Sequence, residues 1–251
     1  MRVDPTYISR LVSALDDATG REQGLSNQLA SGVRINALSD DPVAAGRNVL
    51  LLDQIQRDDA FTQTSSLVTG QLQVADSALG GVVAQLNQAI SLATSASNGT
   101  KNASDVKAIA NQLAGILREV ESLANSNYQG QYIFAGGRTT TQPFSTSTTT
   151  TPGVTTYAGD GGINYLVSPN GQQIQLNVPG DQIFLGSSSV FGVLNSLIAN
   201  LSTGTVNAAQ AGQDAQALTA ALNYVSQQRV QIDNSITQIS AVGEVVTSEK
   251  M

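Results

Sequence analysis

Four stretches of the chain repeat their apolar residues at spacings of three and four, the interval that lines side chains along one face of an α-helix. In the first, residues 6–33, the row runs Ile8, Leu11, Leu15, Ala18, Leu25 and Leu29, with Glu22 interrupting it. Gly20, Gly24 and Gly32 each lower helicity there by about 1 kcal/mol relative to alanine. The stripe is narrow, so the helix it predicts needs a partner surface. Asp41 is placed to cap a second helix whose first position is Pro42, where the missing N–H costs nothing. That helix is predicted over 42–97. Its later half carries a heptad row, with Leu72, Leu79, Leu86 and Ala93 at one position and Ala75, Val82, Ala89 and Ala96 at the other. A third helix, 103–127, is marked by Val106, Ile109, Leu113, Ile116, Val120 and Leu123. The fourth, 207–249, is marked by Leu218, Leu222, Val225, Ile232, Ile236, Ile239 and Val246; Arg229 and Gly243 stand where that row would otherwise be apolar.

The segment between the third and fourth helices reads differently. Tyr128 to Phe191 holds eight of the eleven aromatic residues, and Thr139 to Thr156 is a threonine-rich run that predicts a long exposed loop or hairpin. Residues 163–167 and 173–178 have strand character, and Pro169-Asn170-Gly171 between them is a hairpin turn signal. A short helix is predicted over 190–201. The expected fold is mainly α with a small β insertion: an elongated antiparallel helical bundle rod plus a β-rich domain. Its expected division is an N-terminal assembly helix and linker over 1–40, a discontinuous helical rod over 41–137 and 189–251, and a β-rich inserted domain over 138–188. The insertion is too small and too thinly apolar to form an enzyme core.

Composition narrows the chemistry. Charged residues make up 12% of the 251 residues, against about 25% in an ordinary soluble protein. There is no cysteine and no histidine, which excludes thiol nucleophiles, Ser-His-Asp relays, Cys/His zinc sites and the usual haem or iron–sulfur ligation. The net charge of −7 and three lysines argue against a nucleic-acid partner. No apolar run is long enough to span a membrane, and Met1 to Pro5 lacks the basic region and apolar run of an ordinary secretory leader. Asp40-Asp41 reads as a helix cap with a favourable charge at the helix N-terminus. Asp16-Asp17 and Asp58-Asp59 read as solvated helix faces, and Gly159-Asp160-Gly161-Gly162 as a turn rather than a phosphate cradle or calcium loop. No catalytic, cofactor or metal residue is expected.

The segment Leu25-Ser26-Asn27-Gln28-Leu29-Ala30-Ser31-Gly32-Val33-Arg34-Ile35-Asn36-Ala37-Leu38-Ser39-Asp40-Asp41-Pro42 closely resembles the N-terminal signature of the bacterial flagellins. A second motif, Asn127-Tyr128-Gln129-Gly130-Gln131-Tyr132-Ile133-Phe134-Ala135-Gly136-Gly137 followed by Pro143-Phe144, is similar to the hook-associated protein 3 branch of that family. Tyr157-Ala158-Gly159-Asp160 and Val178-Pro179-Gly180-Asp181 fit the same branch. The resemblance spans nearly the whole chain, with the threonine-rich loop as its variable part.

The resemblance implies a structural subunit of the extracellular flagellum, joining hook to filament and exported unfolded through the type III apparatus by an uncleaved signal. It implies hook-associated neighbours, flagellin, further copies in a ring and an export chaperone as partners, and neither nucleic acid nor membrane. In the family, helices from both chain ends pair into an inner tube that orders on assembly. The counterpart here is a subunit interface at Ile8, Leu11, Leu15, Leu25, Leu29, Arg34, Ile35, Asn36, Asp40 and Asp41. Family members usually continue past the position of Glu249-Lys250-Met251 with a helix that pairs with the N-terminal one. This chain stops there: either the sequence is incomplete, or the protein lacks that pairing, in which case residues 6–33 are expected to be disordered or packed on a neighbour. Three other readings stand beside this one. A filament flagellin is opposed by the Tyr132–Gly136 motif. A surface adhesin or glycan-binding module is suggested by the threonine-rich run with Tyr157 and Tyr165. A hydrolase using Asp160 and Asp181 has nothing to place the two at a working separation.

Overall fold

The computed structural model describes residues 5–32, 34, 41–98, 101–147, 153–186, 188–205 and 207–249. Three helices come first: α1 (Pro5–Ser31), α2 (Pro42–Ser97) and α3 (Ala103–Ala124). Six short strands follow as three separate antiparallel pairs: β1 (Asn127–Tyr128) with β2 (Gln131–Tyr132), β3 (Phe144–Ser147) with β4 (Val154–Tyr157), and β5 (Tyr165–Val167) with β6 (Gln173–Gln175). Helices α4 (Gly180–Phe184), α5 (Val190–Ser202) and α6 (Ala208–Glu249) complete the described residues. The fold is mainly α with a small β region, as the apolar spacing predicts. Spatially the chain divides into two units, residues 1–59 and 60–251.

In the 60–251 unit the heptad row of α2 forms the core. All eight of its predicted positions, from Leu72 to Ala96, are at most 2% exposed. Val106, Ile109, Leu113, Ile116 and Val120 of α3 and Leu218, Val225, Ile232 and Ile239 of α6 belong to the same cluster. At Gly81 helix α2 comes close to α3: a Cβ there would lie 2.9 Å from a methyl of Leu123. Arg229, the charge that breaks the apolar row of α6, reaches α2. Its Nε and Nη2 donate to the two carboxylate oxygens of Asp76 at 2.7 and 3.0 Å. This fork-to-carboxylate match fixes the register of the two helices as well as adding attraction.

Helix α3 begins with a capping box, the Asn102 side chain accepting from the Asp105 N–H at 2.8 Å while Asp105 accepts in return from the Asn102 N–H. It ends at Ala124, three residues earlier than predicted, because Asn125 turns its amide to the chain of β3. Asn125 accepts from the Phe144 N–H and donates to the Phe144 carbonyl, both at 2.9 Å. Phe144 is thereby tied to the end of α3, and it anchors an aromatic cluster. Its ring centroid lies 5.1 Å from those of Phe184 and Tyr157 and 5.2 Å from that of Phe191. The short helix α4, which periodicity does not predict, supplies Phe184 to this cluster, and α5, packed against both α3 and α6, supplies Phe191.

A loop after β4 closes the β region onto the motif that precedes it. The Asp160 carboxylate accepts from the Gly137 N–H at 2.5 Å and the Gly162 N–H at 3.0 Å, and these bonds hold its carboxyl below the ordinary carboxylate range. Gly136, at φ +67°, lies so close that a Cβ would stand 2.1 Å from the Asp160 carbonyl oxygen. The Tyr157 hydroxyl lies 2.9 Å from the carbonyls of both Phe134 and Asp160, to which it donates. Burial, then the charge of Asp181, pushes the Tyr157 phenol up from 10.0 to about 12. These bonds give Asp160 a structural task, and the turn expected at 159–162 is a glycine loop wrapped on its carboxylate.

Two outcomes follow from this packing. Leu86→Ala should destabilise the protein by about 2–5 kcal/mol, read from the urea midpoint, because a fully buried side chain leaves a cavity. Folding favours the neutral Tyr157 phenol, so its contribution is present below pH 10 and is lost as pH rises towards 12. Wild type should therefore lose more stability over that window than Tyr157→Phe. Parallel pH curves would remove Tyr157 as the source.

Candidate assembly surface

The 1–59 unit contains α1 and the first part of α2, and its apolar residues are placed unlike those of the rest of the chain. Ile8, Leu11, Leu15, Leu25 and Leu29 are 54%, 60%, 69%, 66% and 87% exposed. They occupy one stripe of α1, and no described residue of that helix is buried. Its side-chain hydrogen bonds from Ser9, Ser13 and Thr19 return to carbonyls of its own preceding turn. Thus α1 satisfies its polar groups locally and leaves its hydrophobic stripe in water. Burying such side chains is worth about 1.5–3 kcal/mol each, none of which is fully realised here.

At the end of the stripe, Leu25, Gln28, Leu29 and Arg34 line a shallow depression. The Arg34 guanidinium lies 3.7 Å from the Asp41 carboxylate, with both side chains open to water, an arrangement worth little in itself. Asp41 caps α2 as expected: its Oδ1 accepts from the Ala44 N–H at 3.0 Å and its carbonyl from the Ala45 N–H at 2.8 Å. Ile35, Asn36 and Asp40 lie outside the described residues. The structure places the predicted positions of α1 on one surface, and Arg34 and Asp41 beside each other at the start of α2.

The spacing argument missed part of this surface. Tyr7 and Val12 widen the α1 stripe, and Val43, Val49, Leu50, Leu51, Leu52 and Ile55 of α2 are exposed as well. Four consecutive apolar residues, 49–52, cannot share one helix face, so that run was a readable signal of apolar side chains left outside a two-sided helix. One expectation is corrected. Asp58, assigned to a solvated face, is 2% exposed. Spacing placed Asp58 beside Asp59 but not the bulk around it.

Among the described residues no group of three His, Cys, Asp or Glu side chains is set to hold a metal, and no helix is long and apolar enough to cross a membrane. Asp160 and Asp181, the pair considered for hydrolysis, are both engaged with backbone N–H groups, Asp181 accepting from Gln182 at 2.9 Å.

The chain is similar to flagellar hook-associated protein 3 of Salmonella typhimurium, 30% identical over 138 residues that cover 55% of this chain and 44% of that protein. It is similar to flagellar hook-associated protein 3 of Escherichia coli, 33% identical over 119 residues that cover 47% of this chain and 38% of that one. The matched region therefore spans less than half the length of either curated relative. The crystal structure of flagellar hook associated protein-3 from Legionella pneumophila shares the fold, with a TM-score of 0.71 at 15% identity, covering 80% of this chain and 94% of that one. The family model for the bacterial flagellin N-terminal helical region matches residues 13–139, a span that takes in most of α1, all of α2 and α3 and the first β pair. This chain belongs to the bacterial flagellin family.

Proposed function

We propose that the protein is a structural subunit of the bacterial flagellum, acting at the junction between hook and filament, and that residues 1–40 form its assembly segment. The observation that carries this reading is the solvent exposure of every large apolar residue on α1. The motif Tyr132–Gly136 and the hook-associated names of the relatives favour the junction over the filament itself. Its partners are hook-associated neighbours, flagellin and further copies of itself in a ring, with an export chaperone before assembly. Its location is outside the cell, reached without a cleaved leader.

On this reading the energetics favour cooperative assembly. Five stripe residues are worth on the order of 10 kcal/mol when fully buried. Association costs about 4–15 kcal/mol in lost freedom. One stripe against one neighbour therefore roughly breaks even, whereas contacts with several neighbours at once are favourable. A head-to-tail contact of this kind builds rings or helical arrays rather than closed dimers.

Deleting residues 1–35 should leave a folded, monomeric protein that no longer joins flagella, scored by immunogold labelling of the hook–filament boundary. Retained incorporation would refute the role of that segment. The triple change Leu11→Asp, Leu15→Asp and Leu25→Asp should abolish incorporation while the urea unfolding of the 60–251 unit stays within about 0.5 kcal/mol of wild type, as expected for exposed positions. Label spread along the whole filament would instead indicate a filament subunit.

A further inference from the structure

A groove in the 60–251 unit has a chemistry that the assembly role does not use. The hairpin β5–β6 forms one wall. Tyr165 pairs with Gln175 and Val167 with Gln173, so these four share one face, while Leu166 and Ile174 point the other way into the core. The opposite wall is α6, where Gln231, Asn234 and Gln238 succeed one another at spacings of three and four and are exposed. Buried Leu72, Val178 and Ile232 form the floor.

The walls are held in place by bonds beneath them. Asn177 is buried; its Oδ1 accepts from the Asn164 N–H at 2.7 Å and its Nδ2 donates to the Gly162 carbonyl at 2.8 Å. Gln175 Nε2 donates to the Asn177 carbonyl at 2.8 Å. In contrast, the side-chain amides of Gln173, Gln231, Asn234 and Gln238 have no hydrogen-bond partner among the described residues and face the groove.

The lining limits what can bind. No charged side chain contributes to it, so an anion, a cation or a nucleotide finds no counter-charge. The cavity of about 360 Å³ lies in the small-molecule range, and a stable protein partner needs roughly 800 Å² of surface on each side. Each amide offers a donor and an acceptor side by side, as vicinal hydroxyl groups do. The Tyr165 ring, 52% exposed, adds a flat apolar platform with a polar tip.

We propose that this groove binds a neutral, linear oligosaccharide, with Tyr165 stacking on a sugar face and Gln231, Asn234 and Gln173 bonding its hydroxyls. Exposed amides exchange water for sugar hydroxyls with little net gain, so the single-site Kd is on the order of 1 mM. The site stands independently of the assembly reading, since none of its residues lies in the 1–59 unit.

The test is a side-chain amide NMR titration of the full chain with maltotetraose, cellotetraose and chitotetraose. At least one should give saturable shifts confined to the groove amides, weakened about tenfold or more by Tyr165→Ala and by Asn234→Ala, and untouched by Tyr132→Ala outside the groove. Absence of a saturable shift with all three sugars overturns the proposal. Shifts that survive both groove substitutions overturn it too, because the sugar then sits elsewhere. Shifts of the same amides on raising protein concentration without sugar assign the groove to a second copy of the chain, and also overturn it.

Discussion

The interaction on which the 60–251 unit depends is the burial of a heptad seam built largely from leucine and alanine. Small residues allow close approach, but they contribute little apolar area each, so the seam gains its strength from length and continuity. Leu72 to Ala96 supply seven turns of uninterrupted burial against α3 and α6 residues of the same core. A uniform seam of this kind is poor at specifying register, because a shift by one heptad presents similar side chains. The Asp76–Arg229 pair answers that need: its two-pronged geometry is satisfied at one offset only, and sliding the helices would leave a half-buried guanidinium without its carboxylate.

The β region is held by a different principle. Three separate two-stranded ladders have too few backbone bonds to stand alone. They are stable because each is pinned to helices by side chains with many contacts. Phe144 is clamped at its backbone by Asn125 and at its ring by Phe184, Phe191 and Tyr157. The glycine loop around Asp160 then locks the start of the region to its middle. Polar satisfaction and aromatic packing together replace the extended sheet that is missing.

The two units therefore stand at opposite ends of one physical scale. Residues 60–251 bury their apolar stripes within the molecule, whereas residues 1–59 present theirs to water. Exposed apolar side chains in such number are what the proposed assembly role calls for. Three glycines in or beside α1 lower its intrinsic helix propensity, so its own sequence supports the helix only weakly.

Much of this was legible in the residues. Helical periodicity located α1, α2, α3 and α6, because an apolar helix face is a local property repeated every turn. The flagellin-like segment at 25–42 pointed to the family, and Asp41 before Pro42 marked a helix start through backbone chemistry alone. Tertiary structure decided the rest. It ended α3 at Ala124 through a bond between Asn125 and Phe144, nineteen residues apart. It created α4 through an aromatic cluster whose members come from four elements. It buried Asp58 where adjacency to Asp59 suggested solvent, and it brought Arg229 to Asp76 across 153 positions. Local patterns specify which face of an element is apolar, because spacing along the backbone fixes side-chain direction. They do not specify what meets that face, because that depends on contacts between residues far apart in the chain.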